Sequence, residues 1–155
     1  MEAEQLITRF YTAFADGDAA GMRACYHPEV VFRDPVFGEL RGEDAGDMWA
    51  MLLSRGASEL DVDFRNVRAA GDTGSADWTA RYRFGPKRRP VTNEVHAAFR
   101  FRDGLIAEHT DTFDRWRWAR QALGPAGWLL GWAPFLHAKV RAGARGQLAA
   151  WQAKR

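Results

Sequence analysis

The most informative part of the sequence is Phe99-Arg100-Phe101-Arg102-Asp103-Gly104-Leu105-Ile106, which Glu108-His109-Thr110-Asp111 follows after one residue. Asp103-Gly104 predicts a tight hairpin turn, because both residue types tolerate the positive φ angles that such turns need. On each side of the turn apolar and polar side chains alternate, which is the period of a half-buried strand. The same period begins near residue 58 and continues through two earlier strands. This part of the chain is therefore predicted to be an antiparallel meander.

The N-terminal part of the sequence follows the helical period instead. A first apolar stripe predicts a helix that carries Leu6, Ile7, Phe10, Tyr11 and Phe14. Asp18 is a good N-cap for a short second helix, on which we expect Cys25 and Tyr26. A short strand at Val30-Val31-Phe32 and a third helix over residues 43–55 complete this half. Helices first and strands afterwards predict an α+β fold, with the helices on one side of a curved sheet.

The composition is that of a globular domain of ordinary size. The chain has 155 residues, of which 46% are hydrophobic and 27% are charged, and a domain of this size builds a core without disulfides or metal. Cys25 is the single cysteine, which excludes an internal disulfide framework and a cysteine-based zinc cluster. We find no secretory signal pattern and no apolar run near the roughly 20 residues of a membrane span. We therefore expect a cytoplasmic protein.

Two polar residues interrupt the apolar face of the last predicted strand. That face carries, in order, Leu105, Ala107, His109, Asp111 and Phe113. Burying an unpaired carboxylate costs free energy, so His109 and Asp111 either bond to each other, face solvent at an edge, or line a pocket as an acid/base pair. Asp34, at the end of the first strand, is either a turn former or a further site residue. The residues alone leave these alternatives open.

The order and spacing of these stretches resemble the SnoaL-like branch of the nuclear transport factor 2-like superfamily. The resemblance covers residues 6–114 and implies a cone-shaped domain, in which a strongly bent sheet surrounds a hydrophobic cavity and N-terminal helices close its back. Members include ketosteroid isomerases, polyketide cyclases, epoxide hydrolases and non-catalytic binding proteins. The matching stretches are Phe10-Tyr11-Thr12-Ala13-Phe14 through Gly17-Asp18, Val30-Val31-Phe32-Arg33-Asp34-Pro35, Gly42 at the next helix, and the two stretches quoted first.

The resemblance also implies roles for three side chains. Asp34 matches the general base of ketosteroid isomerase-like members, and Asp111 matches an acid/base residue of the cyclases. His109 would orient that carboxylate or return a proton to oxygen. Phe10 and Ala97 stand where ketosteroid isomerases carry a tyrosine and a protonated acid, which disfavours steroid isomerisation. The arginine and aspartate pattern of epoxide hydrolases is also not found.

We expect an apolar ligand to be bound by residues that line the inner faces of the predicted helices and strands. These are Phe10, Phe14, Trp49, Trp78, Tyr82, Asn93, Val95, Ala97 and Phe113. Acid/base chemistry on such a ligand needs no cofactor. A metal held by His109, Asp111 and Asp34 is the weaker chemical interpretation, because proton transfer next to a carbonyl in this fold needs no metal. We expect no bound cofactor and no metal.

Residues 115–155 form a basic, tryptophan-rich extension that the resemblance does not explain, beyond a domain of residues 1–114. The extension contains eight of the 22 basic residues, none of the 20 acidic ones and five of the seven tryptophans. Two helices are predicted in it, the second with Leu136, Val140, Ala144, Leu148 and Trp151 on one face. We expect the extension to pack on the acidic body, to cover the cavity or to swap into a dimer. The alternative is that it lies on a membrane surface. Nucleic acid is not an expected partner, since the rest of the chain is acidic.

Two functions from different classes follow. The first is an enzyme without a cofactor, an isomerase, cyclase or hydrolase of a small hydrophobic carbonyl compound. The second is a non-catalytic module that binds an apolar ligand or associates with a membrane through the extension. In the enzyme, Asp34, His109 and Asp111 converge on one ligand position; in the binding module they are dispersed or paired with one another. The family suggests a homodimer in either case.

Overall fold

The computed structural model describes residues 2–56, 59–125, 127 and 133–154. It confirms the α+β class, with helices packed on a curved, unclosed sheet. The helices are α1 (Glu2–Ala15), α2 (Ala19–Ala24), α3 (Glu43–Gly56), α4 (Arg115–Leu123) and α5 (Pro134–Ala153). The strands are β1 (Tyr26–Asp34), β2 (Gly38–Arg41), β3 (Asp61–Ala70), β4 (Thr73–Phe84), β5 (Arg89–Arg102) and β6 (Leu105–Thr112).

The six strands form one sheet in the order β2-β1-β6-β5-β4-β3. The predicted meander is confirmed, because β3, β4, β5 and β6 pair successively in antiparallel fashion. Asp103 and Gly104 both have positive φ angles, 57° and 75°, as a two-residue hairpin turn requires. The sequence did not predict that β1 joins β6 as a parallel neighbour, with Phe32 beside His109.

The prediction of which side chains face inward is wrong at two positions, where the pairing of neighbouring strands is irregular. In β6 the register shifts opposite Arg100 and Phe101, so Ile106 is buried where Ala107 is expected to be. In β3 the alternation of Val62, Phe64 and Asn66 predicts that all three share the inner face, but the register shifts between Arg65 and Arg68. Asn66 is therefore exposed, with a φ of 58°. An extra residue in one strand moves all later side chains to the opposite face.

Tyr26 is the other residue whose element differs from the prediction. It begins β1 rather than ending α2, and it pairs with Ile106 of β6. The amide of Ile106 also donates to the carbonyl of Cys25, at 2.9 Å. Tertiary strand pairing therefore ends the helix earlier than the local apolar pattern indicates. The change places the Tyr26 side chain in the core.

The core lies between α1, α3 and the inner face of the sheet. All five residues of the predicted stripe on α1 are buried, as are Met48 and Trp49 of α3. They meet strand residues that include Phe32, Trp78 and Phe99. Burial of this many large aromatic side chains is the main source of the domain's stability.

The described part of residues 115–155 packs on the body of the domain. The side chain of Gln121 in α4 accepts from the amide of Thr92 at 2.8 Å and donates to its carbonyl at 3.1 Å. Thr92 lies beyond the segment of β5 that pairs with β6. The Gln121 side chain of α4 therefore bonds to backbone groups of β5 that have no strand partner on that side. Trp128 and Trp132 lie outside the described residues. Within the described ranges, no helix combines the length and hydropathy needed to cross a bilayer.

Candidate functional site

A chain of buried hydrogen bonds connects α3, β1, β6 and β4. Trp49 Nε1 donates to Tyr26 Oη at 2.9 Å, and Tyr26 Oη bonds to His109 Nδ1 at 2.8 Å. His109 Nε2 bonds to Asp111 Oδ1 at 2.8 Å, and Trp78 Nε1 donates to the same oxygen at 3.4 Å. His109 is 0% exposed and Asp111 is 3% exposed. Both residues are therefore buried and bonded to each other, which removes the solvent-exposed alternative that the sequence leaves open.

The network defines the proton positions on the imidazole. Burial raises the pKa of the Tyr26 phenol well above its ordinary value, so this hydroxyl keeps its proton. Since Tyr26 Oη already accepts from Trp49, its proton is available for His109 Nδ1. We therefore assign the ring proton to Nε2, which donates it to Asp111. His109 acts here as a fixed donor that holds one oxygen of the carboxylate.

Aromatic rings pack around the imidazole. Ring centroids of five side chains lie 4.6 to 6.3 Å from that of His109: Phe99, Phe32, Phe10, Tyr26 and Trp49. This apolar shell excludes water and strengthens each hydrogen bond within it. It also fixes the orientation of the ring, so that Asp111 is held by a rigid neighbour.

Asp34 lies next to Asp111 on the adjacent strand. Because Phe32 is the parallel partner of His109 and Arg33 that of Thr110, the following residues, Asp34 and Asp111, are side by side on the inner face. Neighbouring strands are about 4.8 Å apart. Burial raises the pKa of Asp34 to about 7, and the charge of Asp111 contributes to the increase. A negative charge on the neighbouring carboxyl group thus favours the protonated form of Asp34.

In each of the two carboxyl groups, one oxygen already accepts two hydrogen bonds from the protein. Asp34 Oδ1 accepts from the amides of Val36 and Phe37, at 3.1 and 2.6 Å, so the turn-forming role considered for this residue is real. Asp111 Oδ1 accepts from His109 and Trp78. Among the described residues, neither Oδ2 receives a hydrogen bond. A ligand could therefore contact an available oxygen of each carboxyl group.

Two tyrosines add hydroxyl groups to the same interior. Tyr11 is completely buried and its Oη has no hydrogen-bond partner among the described residues. Burial, and next the charge of Asp111, raise its pKa well above the ordinary value. Tyr82 Oη accepts from Trp118 Nε1 of α4 at 2.9 Å, and burial raises its pKa to about 12. Both hydroxyls are hydrogen-bond donors at neutral pH.

Sequence patterns missed three contributors to this site. Tyr11 is part of the apolar stripe on α1. Its hydroxyl group at a position predicted to be buried is a signal that could have indicated a polar role in the interior. Tyr26 has no such signal, because the sequence predicts it to lie on a helix. Trp118 lies in the extension, which the family pattern does not cover. All three act through hydroxyl or indole groups placed by tertiary contacts.

The family of the chain follows from a match that spans most of this fold. Residues 7–109 match the SnoaL-like domain. The chain belongs to the SnoaL-like domain family. The match contains Asp34 and His109 of the site and ends before Asp111. No curated protein sequence shows significant similarity to this SnoaL-like protein.

Solved structures share the fold of this SnoaL-like protein at low sequence identity. TerC, co-crystallised with polyporic acid, is 20% identical with a TM-score of 0.62, over 74% of this chain and 92% of its own. An epoxide hydrolase from M. tuberculosis is 24% identical with a TM-score of 0.61, over 79% and 90%. A protein of ketosteroid isomerase-like fold from Catenulispora acidiphila, in complex with trimethylamine, is 15% identical with a TM-score of 0.63, over 79% and 95%. At these identities the likeness shows the fold alone.

The residues predicted to bind a ligand all lie on the inner faces of this SnoaL-like domain. Ala97 is the direct strand partner of Asp111, and its small side chain leaves the carboxylate uncrowded on that side. Buried positions are Phe10, Phe14, Trp49, Trp78, Val95 and Ala97, and half-buried ones are Tyr82, Asn93 and Phe113. Ligand contact by these residues stays a prediction. Within the described ranges, no three His, Cys, Asp or Glu side chains are grouped as metal ligands.

We expect Asp34→Asn to flatten the pH dependence of stability in this SnoaL-like protein. The carboxyl of Asp34 has a pKa of about 7 in the folded state and about 3.9 when unfolded. The folded chain therefore holds a proton that the unfolded chain has lost, and the free energy of unfolding falls as pH rises between these values. Urea unfolding of wild type and variant from about pH 4 to 7 measures the difference, on the order of a few kcal/mol. Equal slopes in both proteins would contradict the prediction.

Proposed function

We propose that this SnoaL-like protein is a cofactor-independent acid/base enzyme that acts on a small hydrophobic carbonyl compound, as an isomerase, cyclase or hydrolase. One observation carries the proposal. The buried carboxyl group of Asp111 has one oxygen fixed by two donors and a second oxygen without a donor among the described residues. A carboxylate held in this way in an apolar interior is suited to accept a proton.

The proposed step transfers a proton from carbon to Asp111. The C–H bond next to the ligand carbonyl breaks, a bond forms between the proton and Oδ2, and the electron pair moves to the carbonyl oxygen as an enolate. The proton then returns to another carbon or to oxygen, which gives the rearranged product. Asp34, with its pKa of about 7, can donate a hydrogen bond to the enolate oxygen while it is protonated.

His109 is a positioning residue in this scheme. Both of its ring nitrogens are occupied, by Tyr26 and by Asp111, so it does not reach the ligand directly. Its donor bond keeps Asp111 in one orientation and stabilises the carboxylate form. This role differs from the proton return to oxygen that the sequence allows.

The same closed network supports the alternative of a non-catalytic ligand-binding protein. A His–Asp pair that is buried and bonded within the protein is also what a purely structural interaction looks like. In that case the available oxygens of Asp34 and Asp111 would only orient a ligand. The two functions differ in whether a proton leaves carbon.

The test is proton exchange in D₂O. The full-length protein is incubated with a panel of small apolar ketones and epoxides, and NMR follows deuterium uptake next to the carbonyl as well as new products. We expect exchange that requires Asp111 and survives Asp77→Asn, a change in an exposed His–Asp pair with a 2.7 Å contact. Binding of a ketone without exchange would support the binding protein. Exchange that persists in Asp111→Asn would overturn the proposed role of this carboxylate.

A further inference from the structure

A ligand needs a route to the acid pair, because the pair is closed from solvent. His109 and Asp111 are almost fully buried. A broad groove on the back of the domain is lined by residues of α1 and α2 and by the N-cap residue of α2, among them Glu4, Arg9 and Asp18. The opposite, buried face of α1 lies between that groove and the acid pair. The groove therefore does not provide the route.

A narrow cleft lies at the end of the sheet where Asp34 and Tyr82 are found. Its walls include six apolar side chains: Pro35, Val36, Phe113, Trp118, Leu136 and Val140. Pro35 directly follows Asp34, and Trp118 donates the hydrogen bond to Tyr82. The cleft, which Arg115 and His137 also line, thus lies next to residues that adjoin or bond to Asp34 and Tyr82. This combination fits a molecule with a carbonyl at one end and an apolar body.

The outer wall of the cleft is α5, which is held by apolar contacts of Ala144, Leu148 and Trp151 with the core and by polar contacts. Among the described residues of α5, Leu148 is the one that is fully buried. Arg145 Nη1 donates to the carbonyls of Phe37 and Glu39, at 2.6 and 3.1 Å, and Arg141 Nη2 donates to that of Pro35 at 3.3 Å. Elements with little buried apolar area open at lower free energy than core strands. Two arginines therefore fasten α5 to the turn that follows Asp34.

The cleft is too narrow for a ligand while α5 is in place. Its cavity volume is about 20 Å³, which is close to the space one water molecule needs. A carbonyl compound with an apolar body can pass only if α5 moves away from the Asp34 turn. Such a movement breaks the bonds of Arg141 and Arg145 and also loosens the apolar contacts of α5 with the core.

We infer that this cleft is the entrance to the acid pair and that its walls contact the apolar part of the ligand. α5 is the element that opens it, and Leu136 and Val140 are its specificity-determining residues. The assignment rests on the proposed function for the polar end of the ligand. The helices α4 and α5 of the extension are on this account a part of the ligand site.

The test is to block the cleft in the full-length protein. Val140→Trp fills it, whereas Ala138→Trp places the same ring on an exposed position of the same helix. The probe is the neutral, apolar dye N-phenylnaphthylamine, whose fluorescence rises in an apolar site. We expect Val140→Trp to bind the dye about tenfold or more weakly, and Ala138→Trp to bind like wild type. Unchanged binding by Val140→Trp, or no binding by wild type, would overturn the inference.

A second variant tests the opening even if Val140→Trp fails to fold. Arg145→Ala removes two of the bonds that hold α5, so we expect dye association in stopped flow to be several-fold faster. An unchanged association rate would contradict the opening of α5. Asp111→Asn separates this inference from the proposed function. If that variant binds the dye and keeps full turnover, the proposed role of Asp111 fails, while the entrance is judged by Val140→Trp alone.

Discussion

Asp111→Asn is expected to lower turnover of a carbonyl substrate by about 10²–10⁴-fold, the range that a general base typically contributes. Asparagine keeps the size of the side chain and can still accept from His109 Nε2 and Trp78 Nε1. The amide cannot accept a proton from carbon at neutral pH, because it lacks the basic oxygen of a carboxylate. The loss should therefore appear in kcat, with little change in the fold.

Steady-state kinetics together with circular dichroism measures this effect. Asp77→Asn is the matched control, because Asp77 is also a strand residue bonded to a histidine, His96, but lies on the outer face. We expect its kcat/KM to stay within about twofold of wild type, as surface substitutions usually do. Equal losses in both variants would indicate a general structural effect and not the removal of a base.

Local periodicity is sufficient to find His109 and Asp111 but not their neighbours. Side chains alternate along a strand whatever its partners are, so the inner face of β6 can be read from its own residues. The prediction is wrong at Ala107, where the irregularity depends on how β6 pairs with β5. Such a shift is a property of two strands together, and neither sequence alone indicates it.

The neighbour relation between Asp34 and Asp111 requires long-range pairing. Asp34 ends β1 and Asp111 lies near the end of β6, and only the parallel register of these strands places them side by side. Local sequence identifies each residue as unusual, whereas the family resemblance is what suggests that they share a site. Tyr26 shows the same limit, because its helical surroundings in sequence give no indication of its bond to His109.

Contact with the extension is the part that sequence predicts least. The apolar face of α5 is correctly predicted, but the sequence does not predict the bonds from Arg145 to the carbonyls of Phe37 and Glu39. Backbone carbonyls carry no sequence signal, since every residue has one. Whether the extension also contacts a membrane or a second copy of the chain stays a prediction.

His109→Ala is expected to lower the free energy of unfolding by about 3–5 kcal/mol. The imidazole is fully buried among aromatic rings, so its removal leaves a cavity that rigid neighbours cannot close. It also leaves Tyr26 without its ring partner and Asp111 with one donor fewer. Unsatisfied buried polar groups add their desolvation cost to that of the cavity.

Guanidinium unfolding of the two histidine variants His109→Ala and His96→Ala provides the comparison. His96 is also bonded to an aspartate, at 2.7 Å, but its side chain is exposed, and exposed pairs contribute at most about 1 kcal/mol. His109→Phe separates the two causes, because it fills the cavity and still leaves the Tyr26 hydroxyl without its acceptor and Asp111 with one donor fewer. We expect its loss to fall between those of the alanine variants, with kcat reduced more than KM. If His109→Ala were no more destabilised than His96→Ala, the buried network would not be what holds Asp111 in place.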